Sequence, residues 1–127
     1  MLIGTNTYAR PWVRYEILKS IERGNLVIGI HINDIPGKDQ KTKSLGSNPF
    51  DYIGLTISGD GKGMTPIEWN GKEWINYSEL GTFLIDKQPI ANYCKAYCGK
   101  GLKLSFLLPV YNWVTDSGYK NFSSWVS

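Results

Sequence analysis

Apolar and polar positions change period several times along this chain, and each change marks an element. Leu2-Ile3 is an apolar pair ending at Gly4, the tail of a strand. A polar loop over 5–10 leads to Pro11, which suits a first helical turn because its missing N–H would have no helical acceptor there. Over 12–23, Val13, Ile17, Leu18 and Ile21 recur at three- and four-residue spacing, predicting an amphipathic helix stopped by Gly24-Asn25. The stretch LVIGIHI over 26–32 is apolar apart from His31 and predicts a strand covered on both faces, as in a parallel sheet. Strand, helix and strand with short connections make a right-handed βαβ unit.

Residues 33–48 are polar, rich in glycine and lysine, and without period: a long loop. An Asn48-Pro49 turn then leads to a strand over 52–58 and a glycine-rich connection over 59–63. That connection is no phosphate loop, which needs Gly-Lys-Ser/Thr opening a helix; Met64-Thr65-Pro66 follows instead. PIEWNGKEWINY over 66–77 predicts a hairpin about Asn70-Gly71, of type I′ because both residues tolerate positive φ. Trp69 and Trp74 then read as a cross-strand pair before an aromatic ligand platform. Further on, the pattern predicts a short helix over 90–97, a strand over 102–108, and an apolar segment over 110–114 that suits strand or helix. A terminal helix capped near Asp116-Ser117 is expected to dock through Tyr119, Phe122, Trp125 and Val126.

At 127 residues with no repeat or linker, the chain reads as a single domain able to bury its own core. Hydrophobic residues at 42% and charged residues at 20% describe a soluble globular protein, and no apolar run approaches the length of a membrane span. No secretory leader is expected. A net charge of +3 does not call for nucleic acid. Lys38, Lys41 and Lys43, the densest basic patch, read as a solvated loop. The aromatic share of 13% requires rings packed in a core, a pocket or an interface. Cys94 and Cys98 share the chain with one histidine, too few ligands for zinc, and read as unpaired thiols.

Glu16 lies in the second turn of the first predicted helix, beside the apolar stripe and near Trp12 and Ser20. That places it by the C-terminal end of the preceding strand, where ligands collect in open parallel sheets. Two readings follow: a solvated glutamate partnered by Ser20 or Arg23, or a partly desolvated carboxylate on a Trp-flanked crevice. His31 reads as a hydrogen-bonded histidine of the core or sheet edge, and Asp34 and Asp51 as turn and capping residues. Neither metal-ligand spacing nor a nucleophile motif occurs.

The segment LIGTNTYARPWVRYEILKSIERGN resembles the Toll/interleukin-receptor (TIR) signature, with Trp12-Val13-Arg14-Tyr15-Glu16-Ile17 at the place of W-C-x-x-E-L. It is most similar to the TIR-like proteins of bacterial Thoeris anti-phage systems, the ThsB type. The likeness extends through IGIHIN, NPFDY, the EW-NGK-EW hairpin and YNWVTDSGYKNFSSWV. This resemblance implies a flavodoxin-like α/β fold: a parallel sheet flanked by helices, with a Trp-bearing β-hairpin insertion over 66–77. It also implies a cytoplasmic role in antiviral signalling. The family uses NAD+ as substrate, with no further cofactor, to make a cyclic ADP-ribose isomer that activates a partner effector. Glu16 falls on the family's catalytic glutamate, and Trp12 and Tyr15 are the expected walls of the NAD+ pocket. Earlier strands and helices of the family domain have no counterpart before Leu2. The resemblance therefore implies an N-terminally truncated domain whose activity is in doubt, with completion by a homodimer or by another TIR-like chain. The alternative is a catalytically incomplete half-domain serving assembly or nucleotide binding.

Overall fold

A computed structural model describes residues 1–84 and 94–127. Its strands are β1 (Leu2–Ile3), β2 (Gly29–His31), β3 (Ile53–Ile57), β4 (Gly63–Trp69), β5 (Trp74–Asn76), β6 (Phe83–Leu84), β7 (Gly101–Lys103) and β8 (Val110–Asn112). Its α-helices are α1 (Pro11–Glu22) and α2 (Gly118–Trp125). The first sheet is parallel, in the order β1-β2-β8, with Ile3 opposite His31 and Gly29 opposite Val110. The second is antiparallel, in the order β5-β4-β3-β7, with β6 also on β4. The expected α/β fold with its parallel sheet is present. What read as a hairpin insertion is a five-stranded sheet in its own right.

α1 forms where the period placed it. Val13, Ile17, Leu18 and Ile21 are all buried, in one cluster with Phe50, Ile53, Leu55, Ile57, Met64 and Leu104. One helix face thus packs on residues of the second sheet while its chain neighbours lie in the first. Burying each such side chain contributes about 1.5–3 kcal/mol. Gly29 shows how closely the layers meet: a Cβ there would stand 2.8 Å from Ile3 and 3.2 Å from both Phe50 and Val110.

Several predicted bounds change for local reasons. β2 covers only Gly29–His31, because its neighbours β1 and β8 supply two and three residues of ladder. Leu26 is left exposed outside it. In the hairpin, Trp69 pairs with Trp74, leaving a four-residue loop over 70–73 in place of a two-residue turn. Asn70 accepts the N–H groups of Lys72 and Glu73 through Oδ1, and only Gly71 has positive φ, 99°, so the turn is not type I′. The two Trp rings pack at 5.8 Å, the expected cross-strand pair. The strand expected over 102–108 ends at Lys103 and gives way to a 3-10 turn, Leu104–Phe106, which buries Leu104 and exposes Phe106. The apolar segment over 110–114 starts as parallel strand β8. Half of the helix expected over 90–97 lies outside the described residues; within them Lys95–Tyr97 is a 3-10 turn.

α2 docks differently from its pattern. Trp125 stacks on Tyr111 with centroids 4.2 Å apart, and Phe122 meets Trp113 at 5.9 Å, but Tyr119 is 93% exposed. Ser117 precedes the helix at φ 54° without capping it by its side chain, and Asp116 instead accepts the Asn112 N–H. The long loop closes on itself where the Lys43 N–H bonds the Asn33 carbonyl at 2.8 Å. Its C-terminal part is tied down by Thr5 Oγ1 donating to the Ser44 carbonyl at 2.7 Å.

Candidate functional site

α1 separates two clefts. The smaller, of about 600 Å³, runs along the flank that carries Trp12, Glu16 and Ser20, facing Met1, Leu2 and the 25–28 segment. Trp12 and Glu16 are four residues apart on one helix, so their side chains project side by side. Pro11 opens this helix and the buried stripe turns Glu16 outward, which is why the carboxylate stands at the cleft wall. Glu16 is exposed and has no side-chain partner among the described residues. Neither Ser20 nor Arg23 bonds it, and the residue is open to solvent. Arg10, at the N-cap position of α1, and Thr7 line the same cleft.

The larger cleft, of about 840 Å³, lies on the other flank of α1, against the second sheet. Tyr15 lines this cleft and not the one holding Glu16, whereas Trp12, 57% exposed, borders both. Rings from distant parts of the chain complete its wall: Tyr8, Tyr52, Trp69 and Tyr77. Arg14 Nη1 donates to Glu68 Oε1 at 2.9 Å and to the Trp69 carbonyl at 3.1 Å. The same guanidinium sits 5.9 Å from the Tyr52 ring centroid. Buried Tyr77 donates its hydroxyl to Glu79 Oε2 at 3.1 Å; burial, reinforced by that carboxylate, pushes the phenol well above its ordinary range. Sequence reasoning missed Tyr8, Tyr52 and Tyr77 as site residues, because no local pattern joins four separate segments. The aromatic share was the one signal available.

The remaining candidates fall elsewhere. His31, at the end of β2, keeps a buried Nδ1 with no partner among the described residues, and burial lowers its pKa. Asp34 accepts hydrogen bonds from the side chains of Asn33 and Asn112, the second a tertiary tie to β8 and not the turn or capping bond expected. Lys43 pairs loosely with Asp39 at 3.5 Å in the exposed loop. Cys94 and Cys98 are free thiols, the first buried and the second exposed. Among the described residues no group of His, Cys, Asp and Glu is arranged to hold a metal ion. No helix among them is long and apolar enough to cross a membrane.

The parallel sheet and the helix that carries Trp12 and Glu16 agree with the TIR-like α/β fold that the sequence resemblance implies. The model of the family described as Thoeris protein ThsB, TIR-like domain, matches residues 1–36, the segment that contains β1, α1 and β2. Over 127 residues the chain is 48% identical to a protein of Bacillus cereus (strain MSX-D12) named "Putative cyclic ADP-D-ribose synthase ThsB1". That alignment covers 100% of this chain and 64% of the relative, so the chain spans just under two-thirds of the relative's length. By these two matches the chain is similar to ThsB-type, TIR-like proteins.

Proposed function

We propose that this chain carries the NAD+-processing centre of a ThsB-type signalling protein, with Glu16 as its catalytic carboxylate. The observation that carries the reading is the pairing of Trp12 and Glu16 in one cleft, inside the segment that matches the family model. The name of the Bacillus cereus relative supplies the reaction class, synthesis of a cyclic ADP-ribose.

The chemistry suits the residues. Breaking the bond between ribose C1′ and the nicotinamide nitrogen sends the electron pair to nicotinamide and leaves an oxocarbenium-like ribose, as in glycoside hydrolysis. An unpaired carboxylate beside that ribose stabilises the developing positive charge. A hydroxyl from the adenosine side then attacks C1′ and loses its proton, closing the ring; water in its place gives linear ADP-ribose. Trp12 offers an aromatic face at the mouth of the cleft. In this reading NAD+ is the substrate and no cofactor is needed. The whole chain forms one TIR-like domain acting in the cytoplasm, and the nucleotide product switches on a downstream effector.

The test is incubation of the purified chain with NAD+, following nicotinamide and nucleotide products by chromatography. Nicotinamide release by the wild type and its loss in Glu16→Gln support the reading; no release at high protein concentration sinks it. A second reading, an assembly module with an incomplete site, is favoured by β1. Among the described residues it is an outer strand of the parallel sheet, and its exposed Leu2 lines the same cleft as exposed Leu26. Homodimerisation or pairing with another TIR-like chain would cover that edge, and sedimentation equilibrium distinguishes a self-pairing chain from a monomer.

A further inference from the structure

The larger cleft differs in chemistry from the one that holds Glu16. Six rings line it: Tyr8, Trp12, Tyr15, Tyr52, Trp69 and Tyr77. Tyr8 and Tyr52 lie 5.2 Å apart at 30°, a tilted pair presented together at the wall. Such surfaces bind flat heterocycles by stacking. Among the described residues that line the cleft, the one cation is Arg14, and it is ion-paired with Glu68. Of the two cleft carboxylates, Glu79 accepts from the Tyr77 hydroxyl through Oε2 and keeps Oε1 free of protein partners among the described residues. The cleft therefore repels phosphate and offers an acceptor to a ring that bears an amine. Across Trp12, Arg10 lines the Glu16 cleft with no ion pair among the described residues, so an anionic linker would be drawn there.

We infer that the cleft between α1 and the antiparallel sheet is a purine subsite. It would stack an adenine base and take its exocyclic amine on Glu79, while the ribose and diphosphate cross the Pro11–Trp12 shoulder toward Arg10 and Glu16. The identity of the ligand rests on the proposed NAD+ reading; the location rests on the cleft alone. The arrangement gives the two ends of a dinucleotide separate walls on the same helix.

Isothermal titration of the whole chain with adenosine, and with purine riboside, which lacks the 6-amino group, tests the site. Adenosine should bind about tenfold more tightly than purine riboside, the scale of one hydrogen bond to a charged acceptor. Glu79→Ala, at an exposed position, should bring the two ligands close to equal affinity, and Tyr8→Ala should weaken both about tenfold or more. No saturable adenosine binding, an unaltered preference in Glu79→Ala, or full affinity in Tyr8→Ala would each overturn the assignment. Adenosine binding with the expected variant effects but no nicotinamide release removes the NAD+ reading and leaves the subsite standing. Nicotinamide release without adenosine binding does the reverse.

Discussion

Arg14 Nη1 donates to Glu68 Oε1 at 2.9 Å, and that contact fastens α1 to β4. Both side chains are largely shielded, 17% and 24% exposed, so the pair lies in a setting where losing one member strands the other. Arg14→Met should cost about 1–3 kcal/mol in urea unfolding. Arg14→Met with Glu68→Gln should cost less than the sum of the single changes, because the uncompensated carboxylate is gone. Additive costs would mean that the contact carries no coupling.

Glu16 makes the opposite kind of prediction. It is exposed and unpaired, so Glu16→Gln should shift unfolding free energy by less than about 0.5 kcal/mol. Under the proposed function the same change lowers nicotinamide release about 100-fold or more. Calorimetry and a chromatographic turnover assay on one preparation separate the two effects.

His31 links stability to pH. Burial lowers its pKa from the ordinary 6.5, so the unfolded chain takes up the proton first as the solution is acidified. The contribution is constant above about pH 6.5 and turns unfavourable as pH falls toward the depressed folded value. Urea midpoints should therefore decline between about pH 6.5 and pH 5, before most carboxylates titrate. His31→Gln should flatten that decline. An unchanged slope in the variant would assign it to other groups.

The two thiols should react unequally. Cys98 is exposed, whereas Cys94 is fully buried and its pKa is raised by burial, which withholds the thiolate. Maleimide labelling followed by mass spectrometry should find modification at Cys98 in the native protein and at both cysteines in denaturant. Equal native rates at both positions would contradict the burial of Cys94.

Legibility in the sequence follows the range of the forces involved. α1 was readable because a helical period is local: all four stripe residues are buried. The Trp69–Trp74 pair was readable because a hairpin brings near neighbours together. The extent of β2 was not, since an apolar run shows what is fit for burial while the partner strands decide how much is paired. Asn70-Gly71 misled in type because the Trp69–Trp74 register leaves four residues to turn. The position of Glu16 beside Trp12 follows from their spacing, but the separation of Tyr15 from them required the second sheet. The aromatic cleft draws on four segments and is a property of tertiary structure alone.

The long loop has a practical consequence. Its neck closes at Asn33 and Lys43, its tip carries exposed Lys38 and Lys41, and no residue of it lines either cleft. Trypsin should therefore nick the native chain there first. A fluorophore-bearing peptide spliced between Lys38 and Asp39 would report on ligand binding at α1 without standing in its way.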